Sequence, residues 1–232
     1  MTASAIIQAL SDLSDPEKAA FLPGFFKAFP GGYGDGDKFL GVTVPNQRKV
    51  AAQFAKKTTE GDLQQLIESP YHEVRLTALL ILVSKFRKAS EKGFWVDFYL
   101  RNLKYVNNWD LVDSSAHFIL GEWLWDKDRT MLHDMARRGN LWEQRIAIIS
   151  TYHFIRKQDF ADTFTIAETL IDHRHDLIRK AVGWMLREIG NRDFEAEKVF
   201  LEKHYRQMPR TMLRYAIEKF PAVEKENFMK KG

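Results

Sequence analysis

A tryptophan and an aspartate one helical turn apart are the residues of this chain that most suggest chemistry. Trp109 and Asp113 lie four positions apart in the segment NNWDLVD, so on a helix they share one face. The face of an indole ring attracts a cation, and a carboxylate stabilises developing positive charge or orients a water molecule. Leu111 and Val112 between them can anchor the helix in the core, and Asp110 suits the first turn, where it meets the helix dipole favourably. The pair therefore predicts a surface that handles a cationic group.

Asp113 also stands where an internal repeat otherwise carries arginine. Short segments that open predicted helices place a polar residue ahead of an alanine, and from position 75 the polar residues recur at intervals of 38, 32, 34 and 35 residues. The polar residues are Arg48, Arg75, Asp113, Arg145, Arg179 and Arg214. This spacing is typical of stacked helix pairs in a solenoid, and a row of cations on equivalent helices suits a polyanion. Each arginine could equally be a buried strut paired with a carboxylate of a neighbouring repeat.

A second tryptophan has cationic neighbours at helical spacing. In the segment RKAVGWMLRE, Lys180 and Arg187 fall on the same helical face as Trp184. Tryptophan on a helix is more often a core residue, but cations on its face favour a functional surface. The tryptophans without such neighbours are assigned to packing: Trp95, Trp123, Trp125 and Trp142.

Composition is that of a folded protein of ordinary character. The 232 residues include 45% hydrophobic and 28% charged residues, with a formal charge of +4. Cysteine is absent, which excludes disulfides, thiolate zinc sites and cysteine nucleophiles. The first twenty residues do not resemble a signal peptide, and no stretch approaches the ~18 apolar residues of a membrane span. A cytoplasmic protein without membrane association is the expectation.

Helical patterns run from one end of the chain to the other, and no segment alternates like a strand. The expectation is an all-α fold, a right-handed α-α superhelix of helical repeats with a concave basic face, formed as one domain over residues 1–232. Predicted helices span residues 3–13, 16–29, 44–57, 71–88, 92–103, 109–125, 129–138, 141–156, 160–172, 177–189, 195–207 and 211–220.

Other kinds of site have weaker support in the sequence. The glycine-rich residues 30–41 lack the Gly-Lys-Ser/Thr ending of a phosphate loop, so an exposed connector is expected, with a ligand contact as a secondary possibility. His173 and His175 lie two apart without convergent partners, so no metal is expected. Lys180 is the nearest candidate for a Schiff-base lysine, but nothing around it indicates a lowered pKa.

Three motifs in order resemble the bacterial AlkD family of DNA alkylation-repair glycosylases. They are NNWDLVDSSAHFILGEWL, LWEQRIAII and IRKAVGWMLRE, and the earlier segments DPEKA and KFLGVTVPNQRK also fit, so the resemblance spans nearly the whole chain. It implies a HEAT-like helical solenoid. It also implies hydrolysis of the N-glycosidic bond of N3- or N7-alkylated purines in double-stranded DNA, such as 3-methyladenine and 7-methylguanine, without base flipping.

The resemblance also implies roles for individual residues. Trp109, Asp113 and Trp184 would form the catalytic cleft, and Arg145 and Arg187 would contact the DNA backbone.

Two further positions are expected to touch DNA. Lys180 shares the face of Trp184, and Phe25 occupies a position where the family can present a tyrosine, so the phenolic hydroxyl is missing here. The enzyme is expected to act as a monomer, without a cofactor or metal. The competing hypothesis is a non-catalytic helical-repeat protein that binds DNA structures or a protein partner, since a fold does not dictate activity.

Overall fold

A computed structural model describes residues 2–230 of the chain. Most of these residues are helical and none forms a β-strand; Lys38 and Tyr71 form an isolated backbone bridge. The structure divides into two compact units, residues 1–115 and 116–232. The predicted all-α, helical-repeat class is confirmed, whereas the single domain and the concave basic face remain predictions.

The first unit is built around one long buried helix. Its helices are α1 (Thr2–Ser11), α2 (Pro16–Phe25), α3 (Val44–Phe54), α4 (Glu60–Ile67), α5 (His72–Lys88), α6 (Lys92–Arg101) and α7 (Trp109–Asp113), with a 3₁₀ turn at Leu103–Tyr105. Helices α3, α4, α6 and α7 all pack against α5. Residues 76–83 of α5 are apolar nearly all round and are almost entirely buried, as a central helix requires.

Helix α2 lies at the surface and ends earlier than predicted. Asp15 caps its start by accepting a hydrogen bond from the backbone N–H of Lys18, and Pro16 occupies the first turn. The helix stops at Phe25 rather than near residue 29, because Lys27 adopts a left-handed backbone conformation with φ of 53°. No residue of α2 is buried, and Phe21 and Phe25 are exposed.

The second unit also has a central helix. Its helices are α8 (Thr130–Arg138), α9 (Leu141–Ser150), α10 (Tyr152–Ile155), α11 (Ala161–Thr169), α12 (Asp176–Gly190), α13 (Phe194–His204), α14 (Arg210–Ala216) and α15 (Ala222–Lys230), with a 3₁₀ turn at Ile217–Lys219. Helix α12 packs against α9, α13 and α14. A β-carbon on Gly183 would lie 2.4 Å from the carbonyl oxygen of Met212, so the glycine permits the close approach of α12 and α14.

Two long predicted helices are each broken in the structure. The prediction over residues 109–125 was wrong in its length, because α7 ends at Asp113 and a π-helical turn follows at His117–Gly121. The prediction over residues 141–156 is divided between α9 and α10. Near each break a hydroxyl donates back to the chain, from Ser115 to the Leu111 carbonyl and from Thr151 to the Ile148 carbonyl, both at 2.7 Å. Such bonds compete with the helical ladder and bend or end helices.

Two helices, α4 and α15, were not predicted from the sequence. Helix α4 begins with a capping box in which the Thr59 hydroxyl accepts from the Asp62 N–H and the Asp62 carboxylate accepts from the Thr59 N–H. The same carboxylate accepts from the backbone N–H of Ala3 at 3.0 Å, which ties α1 to α4. The capping pattern and the apolar spacing of Leu63, Leu66 and Ile67 were readable signals of this helix.

Candidate active site

Trp109 and Asp113 line the same cavity in the first unit. The cavity has a volume of about 420 Å³ and lies among α2, the start of α3, the start of α5, and α7. Most of its wall is aromatic or aliphatic. Its aromatic lining consists of Phe25, Phe26, Phe39 and Trp109, and its ionisable lining consists of Lys18, His72, Glu73, Asp110 and Asp113.

Helix α7 is a single turn that fixes the directions of both candidate residues. The side-chain oxygen of Asn108 accepts a hydrogen bond from the backbone N–H of Trp109 at 2.9 Å and starts the turn. Leu111 and Val112 are fully buried and anchor the opposite side, as expected from the sequence. Trp109 and Asp113 are partly exposed and face the cavity.

Trp109 belongs to an aromatic cluster that extends into the wall of the cavity. Its ring stacks on Phe26, with centroids 5.6 Å apart and an interplanar angle of 23°, and it meets Phe25 edge-on at 6.0 Å. Phe26 in turn stacks on Phe39 at 5.5 Å. Phe25 is half exposed, so it forms the outer rim of the cavity.

A buried charge network supports this wall from behind. The imidazole of His72 lies between two carboxylates, with Nδ1 3.0 Å from Asp37 and Nε2 2.8 Å from Asp110. Burial would lower the pKa of His72, but the attraction of Asp110 and its hydrogen bonds to Asp110 and Asp37 outweigh burial and raise that pKa to about 9. Asp37 also accepts from the Arg75 guanidinium at 2.7 Å. Asp110 thus contributes to the wall of the site, beyond the helix-dipole role expected for it.

The glycine-rich connector is exposed over much of its length, as expected, but it also contributes a buried side chain to this network. The side chain of Asp37 is only 4% exposed, because His72 and Arg75 draw it inward. At the end of the connector, the Glu73 carboxylate accepts from the backbone N–H groups of Leu40 and Gly41. Gly41 has a φ of 81° and approaches the Asp15 carbonyl so closely that a β-carbon would clash.

In the second unit, the cations beside Trp184 have acidic partners. Trp184 is half buried, and its indole N–H donates to the Glu188 carboxylate at 3.2 Å. Lys180 pairs with Asp176 at 2.7 Å, and Arg187 pairs with Glu218. The face of α12 around Trp184 therefore carries both signs of charge, whereas the sequence indicated a cationic surface.

The arginines of the repeat occupy different environments. Arg75 is buried and donates to Asp37, to the Ser69 carbonyl and to Asn107, so it is a structural strut. Arg145 is 5% exposed and donates to the Leu177 carbonyl, so part of its hydrogen-bonding capacity holds α9 against α12. Arg179 donates to the His173 carbonyl at 2.8 Å. Arg48 and Arg214 are exposed.

The family of the chain follows from comparison with known sequences. A family model described as DNA alkylation repair enzyme matches residues 6–220. The chain belongs to this family. The match includes α2, α5, α7, α9 and α12, and with them every predicted catalytic and DNA-binding residue. No curated protein matches the sequence.

A solved structure shares the fold of this family member. The structure is that of a "Predicted DNA alkylation repair enzyme from Enterococcus faecalis", with a TM-score of 0.69 and 17% sequence identity. The similarity covers 90% of this chain and 97% of that one. At this identity the likeness establishes the common fold, and family membership supports a role in the repair of alkylated DNA.

Two further observations concern what else the molecule could bind. Within residues 2–230, no helix combines the length and apolarity needed to cross a bilayer. In the same part of the chain, no group of three or more histidine, aspartate and glutamate side chains is arranged to hold a metal ion.

Three residues in or directly behind the cavity wall were not predicted as site residues: Phe26 and His72, which line the cavity, and Asp37, which contacts His72 from behind. Asp37 lies in the glycine-rich residues 30–41, for which an exposed connector was predicted. His72 stood one position ahead of the repeat segment that contains Arg75, and no local pattern linked it to residues 35 positions earlier or 38 positions later. The available signal was an acidic residue, Asp37, in a glycine-rich loop that precedes His72. This signal was too weak to predict that the two residues form a pair.

Proposed function

We propose that this member of the DNA alkylation repair enzyme family is a monofunctional DNA glycosylase. It hydrolyses the N-glycosidic bond of cationic N3- or N7-alkylated purines in double-stranded DNA, such as 3-methyladenine and 7-methylguanine, as the first step of base excision repair. The observation that carries the proposal is that Trp109 and Asp113 line one aromatic cavity. The protein acts as a monomer and without a cofactor.

These residue types suit a leaving group that is already charged. An N3- or N7-alkylated purine departs as a neutral base, so no general acid is needed to protonate it. The bond between sugar C1′ and the purine nitrogen breaks with both electrons going to the base, and the sugar acquires oxocarbenium character. Water then adds to C1′ and loses a proton to Asp113 or to solvent.

Each proposed catalytic residue stabilises the positive sugar differently. The indole face of Trp109 contributes about 2 kcal/mol where solvent is excluded. The Asp113 carboxylate is held by α7 before the reaction begins, so its field acts on the developing charge without reorganisation. Trp184 is proposed to supply a second indole, on the strength of its motif and its partial exposure.

The DNA-binding assignments rest on motif and exposure. Arg187 and Lys180 pair with the carboxylates of Glu218 and Asp176 and could exchange these partners for phosphates. Arg145 is assigned a phosphate contact on the strength of its motif, in addition to its hydrogen bond to the Leu177 carbonyl. Phe25, exposed at the rim of the cavity, would contact the nucleotide through its ring alone.

The test is to incubate the purified protein with methylated duplex DNA and to identify the released bases by chromatography. The wild-type protein should release 3-methyladenine or 7-methylguanine, and Asp113→Asn should release either at least ~100-fold more slowly, because a preorganised charge is lost. Duplex affinity should change little. Asp97→Asn is the matched control, because it makes the same chemical change at an exposed position on α6.

Two results would contradict the proposal in different ways. Equal base release by Asp113→Asn and wild type would remove Asp113 from the mechanism. Tight duplex binding with no base release by either protein would favour the non-catalytic DNA-binding alternative.

A further inference from the structure

The imidazole of His72 is enclosed by acceptors on both sides. Its side chain is 2% exposed, and its two ring nitrogens lie 3.0 Å and 2.8 Å from carboxylate oxygens of Asp37 and Asp110. Ionised carboxylates offer acceptors only, so each of these contacts requires an N–H on the ring. Neutral imidazole has one N–H and imidazolium has two. The geometry therefore calls for a protonated His72.

The buried charges around His72 balance one another. His72 and Arg75 supply two cations, and Asp37 and Asp110 supply two carboxylates. Glu73, which lines the same cavity, is engaged instead with the backbone N–H groups at the end of the glycine-rich connector. A balanced network of this kind is stable when complete and costly when one member is lost.

The network reaches Trp109 by two routes. Asp110 follows Trp109 directly on the single turn of α7, and its second carboxylate oxygen accepts from the Leu111 N–H at 2.9 Å. Phe26 packs on the imidazole with centroids 4.5 Å apart and stacks on the indole at 5.6 Å. A displacement of the imidazole would therefore move both the start of α7 and the ring beneath Trp109.

We propose that protonated His72 is a positioning residue of the active site: by clamping Asp110 and Asp37 it holds α7 in the orientation that aims Trp109 and Asp113 into the cavity. This inference rests on the proposed glycosylase activity. His72 lies in the wall behind Phe26 and acts through its neighbours. Because α7 is only one turn long, restraint at Asp110 is restraint on the whole helix.

The clamp depends on pH through a single proton. The charged groups that face His72 are Asp37 from the connector, Asp110 from α7 and Arg75 from α5, and the carboxylates outweigh both burial and Arg75 to raise its pKa to about 9. The unfolded chain has an ordinary histidine pKa of about 6.5. The stabilisation is therefore complete below about pH 6.5 and is lost as pH rises through about 9. Above that pH the imidazole has one N–H left and can donate to only one of the two carboxylates.

The experiment compares wild type with His72→Gln in single-turnover base release from methylated duplex at saturating protein. A glutamine amide can donate to one carboxylate but presents its oxygen to the other. The rate of base release should fall about 100-fold, the cost of displacing catalytic groups by a fraction of an ångström to an ångström. The duplex dissociation constant should change less than twofold, because His72 is buried behind the cavity wall.

A rescue variant separates positioning from simple destabilisation. In the double variant His72→Gln/Asp37→Asn, the new asparagine amide can donate to the glutamine oxygen while its own oxygen still accepts from Arg75. The double variant should recover at least ~10-fold of the lost rate, since the buried acceptor is satisfied again. Urea denaturation of all three proteins at the assay temperature gives the folded fraction by which each rate is corrected.

A readout independent of activity is the indole N–H resonance of Trp109, assigned with Trp109→Phe. In wild type its chemical shift should titrate near pH 9, together with an alkaline loss of the base-release rate, and neither change should occur in His72→Gln. Wild-type rate in folded His72→Gln, or a Trp109 resonance that titrates identically in both proteins, would overturn the positioning role. If wild type releases no base but the resonance titrates as expected, the clamp stands and the glycosylase proposal fails.

Discussion

The two units of the molecule bury acidic side chains in opposite ways. In the first unit, the side chain of Asp37 is 4% exposed and lies within hydrogen-bond distance of both His72 and Arg75. In the second unit, Glu197 is 1% exposed, and within residues 2–230 its Oε1 atom has no hydrogen-bond partner. Its other oxygen packs against the bare backbone of Gly190.

The same burial produces opposite pKa shifts at these two sites. Burial favours the protonated form of Asp37, but His72 and Arg75 together outweigh it and hold the pKa of that carboxyl below its usual value. Burial also favours the protonated form of Glu197, and the weaker attraction of Arg187 leaves its pKa raised to about 9. The difference between these two carboxyls therefore comes from the cations and N–H donors that the fold places beside Asp37 and does not place beside Glu197 in comparable strength.

The charges that flank the two candidate tryptophans differ correspondingly. Behind Trp109 the ions are buried and held by several elements, so they can fix the geometry of the cavity wall. Around Trp184 the pairs formed by Lys180 and Arg187 are partly exposed. Exposed pairs are worth little to stability and exchange partners readily, which suits contact with a phosphate backbone.

The largest expected effect is in the first unit. Asp37→Ala should lower the free energy of unfolding by about 3–5 kcal/mol at neutral pH, because it leaves His72 and Arg75 buried without their shared carboxylate. Urea denaturation measures this loss. Asp176→Ala, which removes the exposed partner of Lys180 in the second unit, should cost less than about 1 kcal/mol. Equal losses in the two variants would erase the distinction between the units.

A smaller effect of opposite sign is expected at Glu197. The unfolded chain releases the Glu197 proton near pH 4.5, whereas the folded protein keeps it until about pH 9. Wild-type stability therefore falls as pH rises between these values, because the unfolded state binds fewer protons. Glu197→Gln keeps the shape of the side chain and removes the titration, so it should be more stable than wild type at pH 8 by at least about 1 kcal/mol, because each pH unit above 4.5 costs wild type up to about 1.4 kcal/mol.

The pH profile supplies the control for that prediction. The stability difference between Glu197→Gln and wild type should shrink as pH is lowered toward 4.5, where the unfolded chain also holds the proton. A difference that stays constant from pH 5 to pH 8 would mean that Glu197 is ionised in the folded protein and has a partner that compensates its charge.

How far the sequence could predict these features depends on how local they are. Helix α7 with its cap, its buried Leu111 and Val112 and its paired Trp109 and Asp113 was predictable, because all the interactions involved lie within one turn. The all-α class followed from periodicity along the chain. The early ends of α7 and α9 were not predicted, because hydroxyl bonds from Ser115 and Thr151 override a continuous apolar pattern.

Interactions between distant positions were beyond reach. The pairing of His72 with Asp37 and Asp110 joins three elements separated by more than thirty residues on each side, and periodicity carries no information about such pairs. The roles of the repeat arginines were left open for the same reason. Arg75 is a strut because a connector residue, Asp37, turns inward to meet it, and no property of the segment around Arg75 predicts that turn.

The smallest expected effect is on DNA binding by Arg145, a buried cation of the second unit. Arg145→Ala should weaken duplex binding and reduce the slope of log affinity against log salt by about 0.9, the value for one phosphate contact. Arg187→Ala should give the same change, and Arg137→Ala, which removes an exposed cation paired with Asp134 on α8, is the control expected to leave the slope unchanged. An unchanged slope for Arg145→Ala with a lowered free energy of unfolding would make Arg145 a strut like Arg75, with its bond to the Leu177 carbonyl as part of that structural role. In that case the second unit would contact DNA through the partly exposed Lys180 and Arg187 pairs and not through a buried arginine. Buried cations would then have a structural role in both units.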